Sequence, residues 1–257
     1  GTPIPGTEFE IYHYRTGNLV DTVRTGKNGV AVSKPLPLGR YKVVESKAAD
    51  FYCLDKTPIE AELEHAGQIV KVAMTNKALS TNVSIKKTGY AEVMPGQDIR
   101  YTFSDIGNNS NVMLTSFYWR DTLPAQVRLN TIVTGTYNFP GVYKITYRVN
   151  GGEYRTLADN LSTRKNYTLQ ASPAALGLAA HERVTEVMFV FGQAPAGFAQ
   201  VEKPQLKCTA VAGLKAGSSF VNIADVGGTY NGVWVQAISR WVTTIYGKPT
   251  RLPTTGH

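Results

Sequence analysis

Cysteine is scarce: Cys53 and Cys208 are the only thiols in 257 residues. A disulfide framework shows a denser, paired set, so two isolated cysteines are expected, with an interdomain disulfide as the alternative. Histidine is as sparse. His13, His65, His181 and His257 have no metal-ligand spacing, and the HER at 181–183 lacks the second histidine of a zinc helix, so it reads as a surface turn. No run of eighteen apolar residues occurs and the chain does not open on a signal sequence, so a soluble fragment is expected. Acidic residues are in deficit, 19 against 27 Lys plus Arg, and the formal charge of +8 favours contact with polyanions. There is no basic helix face, zinc-finger spacing or RNP-like strand, which argues against nucleic acid as a partner. Ser110, Ser116 and Ser219 stand outside any GxSxG setting, and GGTYNG at 227–232 lacks the GKS or GKT of a phosphate loop. No dense acidic run marks a calcium site. No cofactor, metal or turnover chemistry is expected.

What is present points to strands. Fourteen Tyr, nine Phe and three Trp sit among many Val, Ile and Thr, punctuated by 24 Gly and 13 Pro, in a chain long enough for two cores. Phe9 and Ile11 alternate with Glu8, Glu10 and Tyr12, and Leu19 to Val23 and Gly29 to Val32 add short strand signals. Tyr41, Val43 and Glu45 share one strand face, and Val70, Val72, Met74 and Asn76 share another. Glu45 and Asn76 are thus aimed where their neighbours are apolar. Either they sit at strand ends in water, or they are buried and need partners, because an unpaired buried polar group costs about 1 to 3 kcal/mol.

Residues 77–82, KALSTN, read as a short polar joint. Beyond it Val83, Ile85 and Lys87 share a face, which favours Lys87 over Lys86 as an inward group. Asp121 falls on the face of Phe117 and Trp119, and Asn222 on that of Phe220, Ala224 and Val226. The plain alternatives are a solvent-reaching Lys87, a turn-capping Asp121 and a backbone-bonded Asn222, with Asn160 and Asn231 as competing asparagines. A hairpin is expected around Asn150, Gly151 and Gly152, and a helix over 172–185 capped by Ser172 with Pro173 in its first turn. FGQAPAGFA at 191–199 reads as a loop that interrupts a strand.

Several ordered segments carry a resemblance: PGTEFEIY from Pro5, KNG at 27–29, LPLGRYKVVESKA at 36–48, YCLD at 52–55 and GQIVKVAMTNK at 67–77. Residues 5–78 resemble the Cna B-type, or SpaA-like prealbumin, domain of Gram-positive surface adhesins and pilins. The resemblance implies a lysine from a first strand that attacks the Asn76 amide with Glu45 as proton shuttle, forming an isopeptide bond. That lysine should precede the GTPIPGTEF segment, where this chain supplies none. Domain 1–78 is therefore expected to lack its first strand, to be completed from upstream or by another chain.

SIKKTG at 84–89, PGQDIRYTF from Pro95, RDTLP at 120–124 and LKAGSSFVNIADVGG at 214–228 resemble the larger Cna A-like or repeated-adhesin immunoglobulin-type domains. By that resemblance Lys87 is the nucleophile, Asn222 the amide and Asp121 the acid and base. The ending Leu252, Pro253, Thr254, Thr255, Gly256 resembles a sortase recognition motif. Together these imply an all-β fold of two immunoglobulin-like or prealbumin-like β-sandwich domains in tandem, the second with a short helical insertion. The expected boundaries are 1–78, 79–246 and a tail over 247–257. The implied role is a wall-anchored stalk or pilus subunit, extracellular, not itself an enzyme beyond single-turnover self-crosslinking. Its implied partners are a sortase, peptidoglycan or another pilin subunit, and a host surface ligand. The competing reading is a ligand- or carbohydrate-binding adhesive module using exposed aromatics and the loop over 192–197.

Overall fold

Alternating apolar and polar residues become sheets wherever a neighbouring strand accepts their backbone groups, and the computed structural model, which describes residues 1–247, is all-β. It divides into two units, Gly1–Ser80 and a second that begins at Thr81. In the first, β1 (Glu8–His13), β2 (Leu19–Arg24), β3 (Gly39–Lys47) and β4 (Ile59–Leu63) form one antiparallel sheet in the order β2-β1-β3-β4. Its small core gathers Ile11, Tyr41, Ala48 and Ala49, with Thr7 and Glu45 as buried polar residues.

Two expected strands of this unit are not strands. Residues 29–32 belong to a turn: Gly29 has φ +71°, its N–H donates to Gly26 O, and Gly26 N–H donates to Val30 O. Those bonds commit the backbone locally, and Val30 and Val32 are exposed. Residues 68–77 also fall outside any strand, although an isolated bridge pairs Tyr52 with Ala78 just beyond them. Alternation alone does not make a strand; Ile69, Val70 and Val72 remain exposed.

The second unit contains β5 (Val83–Thr88), β6 (Glu92–Val93), β7 (Asp98–Asn108), β8 (Leu114–Thr122), β9 (Val127–Val133), β10 (Val142–Val149), β11 (Tyr154–Ser162), β12 (Thr168–Gln170), β13 (Val184–Ala194), β14 (Gln205–Ala210), β15 (Ser219–Tyr230) and β16 (Val233–Ile245). Seven strands form a sheet ordered β11-β10-β13-β8-β15-β16-β6, and five form another ordered β12-β9-β14-β7-β5. Among the described residues only the β16–β6 pair is parallel. The inner faces supply a contiguous apolar core. In it Trp119 stacks on Phe189 at 4.1 Å between ring centroids and donates its indole N–H to the Tyr137 hydroxyl at 3.0 Å.

The expected hairpin joins β10 to β11 through Asn150 and Gly151, both at positive φ. The expected helix over 172–185 is absent. One turn forms, with Ser172 Oγ accepting the Ala175 N–H, but Gly177 at φ +64° ends it. Leu178 N–H then donates to Pro173 O and Gly177 N–H to Ala174 O, the paired bonds by which a left-handed glycine closes a helix. β13 also continues to Ala194 instead of stopping at Phe191, with register shifts against β8 at Gly192 and Ala194. Phe191 and Phe198 join an aromatic cluster with Phe117, Tyr137 and Tyr143, so the rings of the 191–199 segment face the core.

Candidate functional site

Against that core the second unit buries a polar cluster, in which Lys87 lies over the Phe103 ring that packs on Trp119. Residue parity places it there: Val83, Ile85 and Lys87 are the buried positions of β5, while Lys86 is exposed. Phe117, Trp119 and Asp121 are buried on β8, and Phe220, Asn222 and Ala224 on β15. In the β15–β8 ladder Ala224 stands opposite Asp121, so Asn222 occupies the diagonal position on the same face. β5 lies in the other sheet beside β7, with Lys87 opposite Phe103. A lysine side chain is long enough to cross between two facing sheets, and this one does.

Lys87 Nζ contacts Asp121 Oδ1 directly, and both side chains are fully enclosed. The amine also lies over two aromatic faces, 4.3 Å from the Tyr101 ring centroid and 4.7 Å from that of Phe103. Burial pushes the Lys87 pKa down against the opposing pull of the Asp121 charge, and burial pushes the Asp121 carboxyl up against the pull of Lys87. Both shifts favour the uncharged pair, an amine facing a protonated carboxyl. Asn222 sits close enough to Asp121 and Tyr101 to favour their ionised forms, yet neither amide atom reaches hydrogen-bond geometry with any partner among the described residues. Asp121 Oδ2 and the Tyr101 hydroxyl are likewise unpartnered.

The three residues singled out in this domain, Lys87, Asp121 and Asn222, are therefore brought together, whereas the competing Asn160 and Asn231 are exposed, at positive φ, outside the cluster. Chemically the arrangement holds a desolvated amine, a carboxyl able to carry its proton and a primary amide with no bonds to lose. Tyr101, Phe103 and Cys208 complete the cluster and were not among the expected site residues. The alternation of Ile99, Tyr101 and Phe103 in β7 is the signal that would have found the first two.

In the first unit Asn76 Nδ2 donates to Glu45 Oε1 at 2.8 Å, and Asp55 N–H approaches Glu45 Oε2 at 3.4 Å. The Glu45 side chain is buried, which raises its carboxyl pKa above the ordinary value, while the Asp55 and Asn76 hydrogen bonds oppose the rise. Among the described residues no lysine is ion-paired to it. Asn76 borders an open cleft of about 240 Å³ with Asp55, Ile59 and Met74. Leu252, Pro253, Thr254, Thr255 and Gly256 lie outside the described residues.

Residues 1–78, within the first unit, match the family described as the SpaA prealbumin-like fold domain. Among curated proteins the chain is similar to the trypsin-resistant surface T6 protein of Streptococcus pyogenes serotype M6, 34% identical over 77 residues, which are 30% of this chain and 14% of that protein. Among solved structures it is similar to BcpA, the major pilin subunit of Bacillus cereus, at 17% identity and a TM-score of 0.35 over 95% of this chain and 65% of BcpA. The full-length major pilin SpaD of Corynebacterium diphtheriae aligns at 16% identity and a TM-score of 0.31, over 95% of this chain and 62% of SpaD. These superpositions are too loose to carry residue roles. The chain spans less than two thirds of these pilins and about one seventh of the T6 protein.

Proposed function

We propose that this chain is a structural stalk or backbone region of a pilus subunit or wall-anchored adhesin, locked by an isopeptide bond that its second unit forms within itself. The observation that carries the reading is the enclosed Lys87–Asp121 pair beside an Asn222 amide with no hydrogen-bond partner. The neutral Lys87 amine attacks Asn222 Cγ. The protonated Asp121 carboxyl gives its proton to Nδ2, which leaves as ammonia, and takes back the proton released by the amine. One C–N bond forms and one breaks, with no change of oxidation state. Fixed contact replaces diffusion, so one turnover suffices. Similarity of residues 1–78 to a surface T6 protein supports an extracellular, cell-surface role.

The Glu45–Asn76 pair in the first unit supports a second bond, whose lysine would come on a strand supplied from upstream or by another chain. The LPTTG sequence at 252–256 would be joined by a sortase to peptidoglycan or to another pilin subunit. The adhesive-module reading is weaker, because the rings of the 191–199 segment are packed inward.

Intact-mass spectrometry of the denatured, reduced chain tests the proposal. A deficit of about 17 Da, one ammonia, with a branched peptide joining Lys87 to Asn222, is expected. An undiminished mass with both residues in linear peptides overturns it.

A further inference from the structure

Among the described residues five buried side-chain polar atoms lack a hydrogen-bond partner, and four of them, Tyr101 Oη, Asp121 Oδ2 and both amide atoms of Asn222, belong to this one cluster. Native interiors leave few such atoms, so their concentration is informative. Lys87 and Asp121 account for attack and proton transfer, but attack on an amide also develops negative charge on its oxygen. A desolvated site needs a hydrogen-bond donor for that oxygen.

We propose that Tyr101 is that donor: its phenolic O–H hydrogen-bonds Asn222 Oδ1 as the tetrahedral adduct with Lys87 Nζ forms. The inference rests on the crosslinking reading above. Tyr101 is fully buried on β7, and its hydroxyl faces Asn222 and Thr243. Thr243 cannot serve, because its own hydroxyl proton goes to Tyr90 O at 2.8 Å. Lys87 Nζ lies over the face of the Tyr101 ring, 4.3 Å from its centroid, which puts nucleophile and donor next to each other. The ring is held in place by close packing: a Cβ added at Gly89 would come within 2.9 Å of Tyr101 Cδ1 and of Trp241 Cδ1. Burial raises the Tyr101 pKa, so the hydroxyl keeps its proton.

In the step itself the Lys87 lone pair forms the new C–N bond while the carbonyl pair moves onto Oδ1, where Tyr101 O–H donates without transferring its proton. Asp121 gives its own proton to Nδ2 and takes the amine proton in exchange, the carbonyl re-forms, and ammonia departs. The uncommitted hydroxyl of the resting site is thus the group that is satisfied in the transition state.

Full-length chain made by cell-free synthesis, quenched in acid at intervals and weighed intact, reads the rate of the 17 Da loss. Tyr101→Phe is expected to slow it about 10²- to 10³-fold while reaching the same final mass. A Tyr101→Phe chain that crosslinks at the unsubstituted rate overturns the role of Tyr101 and leaves the crosslink standing. Unsubstituted chain that never loses ammonia overturns the crosslink and this inference with it. In an Asn222→Val background, where no bond can form, Tyr101→Phe should leave the thermal midpoint within about 2 °C. A larger fall assigns the slowing to packing and overturns the donor role.

Discussion

Replacing Asn222 by valine gives opposite signs of stability change with and without the bond. With the bond, Lys87 and Asn222 close a loop of roughly 135 residues, and the chain-entropy relation for crosslinks of that length gives about 5 kcal/mol of stabilisation through the unfolded state. A unit of this size shifts its midpoint by about 2 to 4 °C per kcal/mol, so Asn222→Val should lower it by about 10 to 20 °C. Without the bond, the same substitution removes a buried amide whose nitrogen and oxygen are both unpartnered. Deleting such a group in favour of an apolar side chain of similar size is neutral or stabilising. Calorimetry of the full chain, with intact mass recorded on the same sample, separates the cases. In a Lys87→Met background the effect of Asn222→Val should collapse, giving a coupling of about 5 kcal/mol between the two sites. An Asn222→Val chain as stable as the parent, or more so, would refute the reasoning.

Asp121→Ala should leave the second unit folded but slow the loss of ammonia at least about 100-fold, the lower range for a positioned acid–base group; time-resolved intact mass decides it, and an unchanged rate would remove Asp121 from the mechanism. For Glu45 the sign follows from its raised carboxyl pKa. The folded unit retains a proton that the unfolded chain releases, so its favourable contribution is complete below the unfolded value near 4.5 and is lost as pH rises through the folded value. Glu45→Gln should therefore raise the urea midpoint of the first unit at pH 7 more than at pH 4, and an equal effect at both would contradict the burial argument. Under force applied at the chain ends, a Lys87–Asn222 bond withholds roughly 134 residues from extension, on the order of 450 Å of contour. Single-molecule pulling should show that length only in Asn222→Val chains.

How far these features could be read from sequence depends on what each requires. On β5, β8 and β15 a period of two fixes which side chains face inward once a partner sheet exists, so Lys87, Asp121 and Asn222 could be picked by parity with Val83, Trp119 and Phe220. The same parity at 29–32 and 70–76 misleads, because a strand also needs a neighbour, and nothing local says whether one is there. The 172–185 segment has the composition of a helix, but the conformation of one residue, Gly177, decides its length. Tyr101 was missed because alternation marks a tyrosine as buried without saying whether its hydroxyl has a partner. That is a property of three strands at once.

The cluster makes little sense as a device for stability alone. A buried ion pair commonly does no better than apolar residues of the same volume, because desolvation offsets the attraction. Here the pair is accompanied by an amide and a phenol that gain no hydrogen bonds, each adding to the cost of the folded, unreacted state. The proposed reaction would relieve much of this at once: the amine would cease to be a base and the new amide would place an N–H beside Asp121. Under the proposed crosslinking, the arrangement would be a reactant state held together by the surrounding sheets, complete only when β5, β8 and β15 have assembled. On the proposed reading, folding would therefore precede and gate the chemistry. Any substitution that loosens the contact between the two sheets near Lys87 should lower the yield of bond before it lowers the content of strand.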